Sequence, residues 1–425
     1  MKNQSANAKK GAILVVRQSK KNKILLLNPP SSRKILRDYY CSTFSKASYY
    51  WQPIDLLAVG ALLQNRAEVT IMDAVARGLS PKKIHQWIAD HAPDAVFALV
   101  SALTRHTDLT FLQGLTAAGR RLVIGGEAAL DWHFDFDRYP FVDGLLLDFT
   151  CGEAVSFLTG RPPAGRLRTA EYWPVAPRRQ STYTLGIMPH EHLEPDHYRL
   201  PLWRGRFYSL LTDFGCPFDC PFCNSGRSSL GFKLRDPGEI GQELGRLHQL
   251  GARQLYIRDM TFGADKNHAD TVLRLLEPFS FRLRGYLRAD QVTPAFARRL
   301  KKAGFEMVQI GVESPRQPLR HELRKPISDT ALAEAFAVLQ ETGIQAGAHF
   351  LIGWRDKDVD SARACVQAAR QLKAAYCSIN IYRPRLGIDP MATGEPARHR
   401  LLSLAVEYQM KRYNGARYLR FLFRR

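Results

Sequence analysis

The chain has 425 residues, and 61 Lys+Arg against 40 Asp+Glu give it a formal charge of +21. At 45% hydrophobic and 24% charged residues its composition is ordinary for a globular protein, which excludes disorder or a collagen-like structure for most of the length. No run reaches the ~20 apolar residues of a membrane span, and seven cysteines are too few for a disulfide scaffold, so the unusual quantity is the basic excess, which suits an acidic partner.

Residues 1–23 are basic and polar, and their apolar stretch Ala12–Val16 is shorter than a secretory core, which leaves a cytoplasmic, reducing compartment as the expectation. Strands and helices then alternate. Lys23–Asn28 is a short apolar strand stopped by Pro29-Pro30, and Pro53–Gln64 has helical spacing. Glu68–Asp73 (strand), Ser80–His91 (helix), Ala95–Val100 (strand), Thr107–Ala118 (helix), Arg121–Gly125 and Val142–Leu147 (strands) and a helix from Gly152 follow. This order predicts a doubly wound, Rossmann-like parallel sheet over residues 24–160. Ligands of such sheets bind beyond the carboxyl ends of the strands, which here carry Asn28, Ser101, Gly125, Gly126, Gly152 and Glu153.

Residues 161–200 are rich in Pro, Arg and His, lack sustained periodicity, and are expected to be a linker. Alternation restarts at Phe207–Thr212. Further strands are expected at Gln254–Arg258, Arg282–Leu287, Met307–Val312, Gln345–Ile352 and Tyr376–Tyr382, with five helices between them. That pattern predicts a partial (β/α)6 barrel over residues 201–385, followed by a basic C-terminal segment, 386–425.

The strongest local signal is Cys216-Pro-Phe-Asp-Cys220-Pro-Phe-Cys223, directly after the first barrel strand. Three soft ligands in one short loop suit three irons of a 4Fe-4S cluster and leave the fourth iron open. The alternative is structural zinc, which wants four protein ligands; no fourth Cys or His lies near, His197 and His248 being the nearest. With Phe222 before the last cysteine, this loop resembles the cluster loop of the radical S-adenosylmethionine (SAM) superfamily, and the strand ends Arg288-Ala-Asp290, Gly311-Val-Glu313-Ser314 and Phe350–Gly353 extend the resemblance through the barrel. The resemblance implies that Cys216, Cys220 and Cys223 hold the cluster and that the open iron takes the amino and carboxylate groups of SAM. It also implies that reductive cleavage of SAM gives a 5′-deoxyadenosyl radical. By the same carry-over Phe222 contacts the adenine, Asp259 lies near the amino group, Arg288 near the carboxylate, and Glu313, with Ser314 beside it, near the ribose.

With such a barrel downstream, the first domain resembles the cobalamin-binding domain of the B12-binding radical SAM subfamily, through Asn28-Pro29-Pro30, Val69–Ala74, Pro93–Val96, Val123–Gly126 and Cys151–Glu153. The cobalt-ligating Asp-x-His-x-x-Gly string is absent; Asp131-Trp-His133 is nearest and lacks the glycine, so no histidine is expected beneath the cobalt. Two cysteines here, Cys41 and Cys151, are too few for the second cluster of the related tRNA methylthiotransferases. Cys365 and Cys377 read as core thiols, and Tyr49-Tyr50-Trp51 as inter-domain packing or a wall facing the corrin or substrate.

From Pro396 to Arg425 eight Lys+Arg face one acid, Glu407, with interleaved aromatics. An amphipathic helix through Leu401, Leu402, Ala405 and Tyr408 packed on the barrel, contact with a membrane surface, and nucleic-acid binding are the three readings, in that order of preference. The resemblance implies a cobalamin-dependent radical SAM methyltransferase acting on an unactivated carbon (or phosphorus) of a small molecule or peptide. A non-methylating oxidation, cyclisation or rearrangement is the alternative, and an RNA- or membrane-binding protein with a structural cluster is the remote one. The partners expected are an anionic or lipid-like substrate and an electron donor such as flavodoxin or ferredoxin.

Overall fold

The structure is a computed structural model that describes residues 21–39, 42–45, 49–116, 120–130, 134–135, 137–146, 148–150, 155, 158–159, 181–200, 203–223, 231–354, 359–382 and 396–423. Its first domain is built from β1 (Asn22–Asn28), a small hairpin of β2 (Ile35–Arg37) and β3 (Ser42–Phe44), and then α1 (Ile54–Leu63), β4 (Ala67–Asp73), α2 (Pro81–His91), β5 (Ala95–Leu99), α3 (Arg105–Gln113), β6 (Arg121–Gly125) and β7 (Gly144–Leu145). The sheet order is β4-β1-β5-β6-β7, all parallel. Strand order therefore reverses between β1 and β5, and the crevice of a doubly wound sheet lies there. β1 and β5 are buried almost throughout, as a sheet covered on both faces requires. α2 starts where expected, with Ser80 accepting from the Lys83 N–H and Pro81 in the first turn.

The hairpin β2/β3 was not expected. Its strands have three residues each, too short for any period to show. Residues 35–39 are buried and lie over the strand ends of the sheet.

The segment expected as a linker is, from residue 181, part of the fold. β8 (Ser181–Tyr183) joins a small sheet, and His190, Met188 and Tyr198 are buried. The barrel follows: β9 (Tyr208–Leu210), β10 (Asp213–Gly215), β11 (Phe232–Arg235), α4 (Pro237–Gln249), β12 (Gln254–Ile257), α5 (Lys266–Leu276), β13 (Arg282–Leu287), α6 (Pro294–Ala303), β14 (Phe305–Glu313), α7 (Gln317–Glu322), α8 (Asp329–Glu341), β15 (Gln345–Ile352), α9 (Val359–Gln371), β16 (Tyr376–Ile381) and α10 (Pro396–Phe423). Six strands form one parallel sheet, β16-β15-β14-β13-β12-β9. The single strand expected at 207–212 is two: the chain turns out of the barrel after Leu210, and β10 pairs antiparallel with β11, which pairs with β8. The cysteine loop is the excursion between β10 and β11.

α10 packs on β16 and α9, with Leu402, Val406 and Tyr413 buried. The expected apolar face is rotated, because Tyr408 is 58% exposed and Tyr413 takes the inward place. Asn414 closes the sheet edge. Its Oδ1 accepts from the Cys377 N–H at 2.9 Å and its Nδ2 donates to the Cys377 carbonyl at 2.8 Å, as a neighbouring strand would. Among the described residues no helix is long and apolar enough to cross a membrane.

Behind the cysteine excursion, three fully buried groups fasten β11 to α4 and the 181–200 segment. Glu243 accepts from Arg235 at 2.5 Å and from His190 Nε2 at 2.9 Å. Burial alone would raise this carboxyl, but Arg235 and His190 outweigh it and hold it at about 2.

Two outcomes follow. Asn414→Ala removes both edge bonds and is expected to lower the unfolding free energy by about 1–3 kcal/mol, read by urea denaturation with the β16–α10 contact probed by hydrogen exchange. Because the folded pKa of Glu243 lies below its unfolded value, its stabilisation is complete above about pH 5 and is lost as pH falls toward 2. Glu243→Gln should flatten that part of the pH–stability curve while destabilising the protein at pH 7, where buried Arg235 keeps only the more distant Glu239 as countercharge.

Candidate active site at the barrel mouth

The three cysteines sit where β10 leaves the barrel mouth. Cys220 is buried, Cys216 and Cys223 are half-buried, and all three are free thiols. A turn closes the second half of the loop, the Cys223 N–H donating to the Cys220 carbonyl at 3.0 Å. Burial pushes the Cys216 thiol up to about 12, with Cys223, Cys220 and Asp213 adding to the effect. Burial also raises Cys220, Lys325 and Arg288 oppose it, and Cys223 and Glu313 reinforce it. The thiols thus sense one another and the ends of β13 and β14. Among the described residues no three Cys, His, Asp or Glu side chains converge on a single-ion site.

Two ion pairs frame the loop. Arg288, just past β13, donates to Asp290 through Nε (3.0 Å) and Nη2 (2.7 Å), and its guanidinium lies 3.7 Å over the ring of Phe218. Glu313, at the end of β14 with φ +64°, takes Lys325 Nζ at 2.7 Å, both largely buried. Gly311 makes room for this pair, since a Cβ there would stand 2.5 Å from Lys325 Nζ. The exposed pair Asp219–Arg324 ties the loop to the residues after α7. Phe218 and Lys325 were missed in the sequence. Phe218 fills a variable position of the motif, and Lys325 reaches the site from twelve residues beyond Glu313.

Phe222 is half-buried in the same loop. Ser314 is buried and its Oγ accepts from the Arg316 N–H, which makes it a turn-former. Asp259 is buried at the end of β12, accepts from the Thr212 N–H (2.7 Å), the Asp213 N–H (3.2 Å) and the Thr212 hydroxyl, and so pins the corner from which the cysteine loop springs.

The strand ends of the first domain also behave differently from expectation. Asn28 is a node of a buried network, donating to Tyr50 (2.7 Å) and Asp73 (3.0 Å) and accepting from Arg37 (2.8 Å). Arg37 in turn grips Asp108 through two nitrogens. Gly125 packs on the ring of Phe97, and Gly126, at φ +82°, lies where a Cβ would meet the carbonyl oxygens of Arg37 at 2.8 Å and Val100 at 3.0 Å. These glycines are required by the chain's own backbone. Ser101 Oγ is 2.5 Å from Ser42 Oγ, a hydroxyl pair just past the end of β5 at the switch point. Gly152, Glu153, Cys41, Cys151 and the Asp131-Trp-His133 string lie outside the described residues. Of Tyr49-Tyr50-Trp51, Tyr50 joins the Asn28 network and Trp51 packs between the domains, its indole N–H 2.6 Å from Asp38 and its ring under Arg258.

Residues 212–366 match the family model of the radical SAM superfamily. An uncharacterized methyltransferase of Pyrococcus horikoshii is 24% identical over 389 residues, 86% of this chain and 81% of the relative. Among solved structures, the radical SAM methyltransferase TsrM of Kitasatospora setae, with cobalamin and a 4Fe-4S cluster bound, superposes with a TM-score of 0.65 at 18% identity, over 85% of this chain and 75% of its own. The cobalamin-dependent radical enzyme OxsB, with aqua-cobalamin and SAM bound, gives 0.60 at 15% identity, over 92% of this chain and 56% of its own. Residues 212–366, the barrel with its three-cysteine excursion, are therefore a radical SAM domain, and the chain has the two-domain fold of these cobalamin-bound relatives.

Proposed function

We propose that this chain is a cobalamin-dependent radical SAM methyltransferase acting on an unactivated carbon (or phosphorus) of a small molecule or peptide. The observation that carries the reading is the meeting of the Cys216–Cys220–Cys223 loop with Arg288 and the Glu313–Lys325 pair at one end of the barrel. When bound, the cluster and SAM supply one-electron cleavage of a sulfonium, and cobalamin supplies a transferable methyl group. The chain's part is to hold and orient. The thiols give up their protons to become ligands, which the raised Cys216 and Cys220 values make pH-dependent. Asp290 occupies Nε and Nη2 of Arg288, which leaves Nη1 to bind the carboxylate of SAM. Glu313 accepts from ribose hydroxyls while Lys325 holds its Oε1, and Phe218 and Phe222 offer apolar rings in the loop. For cobalamin the supporting features are the switch-point crevice and the Ser42–Ser101 hydroxyls, with the two solved relatives that hold the cofactor in the same fold. An electron donor of the flavodoxin or ferredoxin class completes the proposal.

Anaerobically reconstituted protein is expected to show broad absorption near ~400 nm and to form 5′-deoxyadenosine from SAM under a chemical reductant. Cys220→Ala should lose both while keeping the far-ultraviolet circular dichroism of the wild type. Protein loaded with hydroxocobalamin and desalted is expected to retain the corrin band. With substrate, product heavier by one CH2 and S-adenosylhomocysteine should appear together. Deoxyadenosine without either would shift the reading to a non-methylating radical reaction, and loss of the corrin band would remove cobalamin from it.

A further inference from the structure

The inner faces of the barrel strands are not packed shut. Outward residues such as Leu283, Ile310, Ala348 and Cys377 are buried under the helices, whereas inward Tyr286, His349 and Ser378 keep partial contact with solvent. Within this lumen Gln309, on β14, is only 6% exposed. Its side chain lies beside the Tyr376 hydroxyl, which is 2.7 Å from His349 Nε2. Its carbonyl oxygen, Oε1, is buried without any hydrogen-bond partner. A desolvated acceptor left unmet costs stability and calls for an explanation.

The surroundings are arranged to keep that oxygen where it is. Gly347 stands opposite Tyr376 in the β15–β16 register, and a Cβ on it would stand 2.8 Å from Cδ1 of the tyrosine ring. A glycine inside a strand weakens it, and here it lets the ring cross β15 so that the hydroxyl lies between Gln309 and His349. Rings and one cation stand beside it: Tyr286 meets His349 edge to face at 5.7 Å and lies 6.2 Å from Tyr256 in a tilted contact, and buried Arg284 shares the inward face of β13 with Tyr286. Ring faces beside one oriented acceptor recognise a flat molecule that carries a donor.

We propose that the barrel lumen binds a small planar organic molecule by accepting its N–H or O–H group at Gln309 Oε1, with Tyr286 and His349 against its ring. Calling that molecule the substrate rests on the function proposed above; the binding itself does not. Gln309 is then a specificity-determining residue, and the substrate class is a planar polar compound with a donor near its site of reaction.

The probes are benzamide and acetophenone, which share a ring and carbonyl and differ by an amino donor against a methyl group. Ligand-observed NMR titration of the full chain should give benzamide about tenfold tighter binding than acetophenone. Gln309→Leu and Gln309→Met should each reduce that preference to within about twofold while leaving acetophenone unchanged, and Gln309→Glu, which keeps an acceptor, should preserve it. Equal binding of the two probes by the wild type, or a preference that survives Gln309→Met, overturns the assignment. SAM cleavage by the reconstituted wild type is measured beside it. Cleavage lost with the probe preference intact removes the radical methyltransferase reading and leaves the lumen site standing; cleavage intact with no preference does the reverse.

Discussion

Arg258 leaves the end of β12 and enters the first domain, where its guanidinium pairs with Asp38, both side chains almost wholly buried. Trp51 donates its indole N–H to the same carboxylate, and its ring lies beneath the cation at 4.7 Å. Burying an ion pair is favourable only when geometry and further hydrogen bonds compensate the lost hydration, and this pair has both. Gln52, the next residue along, spans the joint: its amide donates to the Phe207 carbonyl at 2.7 Å and accepts from the Ser209 hydroxyl at 2.8 Å. The joint is therefore directional. An apolar contact alone would let the domains slide, while these bonds admit one relative placement.

The residue after Arg258 extends the constraint to the chemistry. Asp259 holds Thr212 and Asp213, the corner from which the cysteine loop departs, and His268 holds the other side of that corner, its Nε2–H donating to the Thr212 carbonyl at 2.8 Å. Two consecutive side chains thus connect the domain joint to the loop. Its returning strand is bound as firmly, by Arg235 and Glu243 on one side and by Lys233 reaching Asp148 of the first domain on the other. The loop is bracketed by charged contacts whose partners are themselves buried, the support that a site needs if it is to be held in place by more than its own residues. This also locates the basic excess. Arg37, Arg235, Arg258, Arg284, Arg320, Lys233 and Lys325 are all buried and work as struts, but buried carboxylates such as Asp38, Asp108, Asp148 and Glu243 match them, so the +21 lies outside the buried interior.

Periodicity made the two parallel sheets legible, because strands covered on both faces are mainly apolar, as β1 and β5 are, and the barrel strands keep their outward positions apolar, as β15 does. The cysteine loop was legible because three thiolate ligands at close spacing have few other uses. Elements of three residues, β2, β3 and β8, carry no period and were invisible. Roles at strand ends were the harder matter. Asn28, Gly125, Gly126 and Asp259 stand at carboxyl ends, where ligands bind, and a polar or small residue there is equally what the fold needs to dock a hairpin or pin a corner. Only the tertiary partner distinguishes the two uses. Phe218 and Lys325 show the converse. Nothing local marks them, and they join the site because Arg288 and Glu313 come to them across the mouth.

The open side of the barrel bears on what it can admit. Among the described residues β9 pairs only with β12, and Phe207, Leu211 and Phe214 around it belong to the same apolar core as the first domain, so this edge is covered from across the joint. The opposite edge, β16, is finished by Asn414 and by the packing of α10. Neither edge is available to another strand, yet the two are not bonded to each other, and inward side chains on β15 and β16 retain contact with solvent. A closed barrel would bury a ligand whole or reject it by size. An incomplete one with finished edges can enclose the reacting part of a molecule and leave the rest outside, so selection falls on the few groups that the lumen wall presents. The unmet oxygen of Gln309 is such a group, set among the rings of Tyr286, His349 and Tyr376.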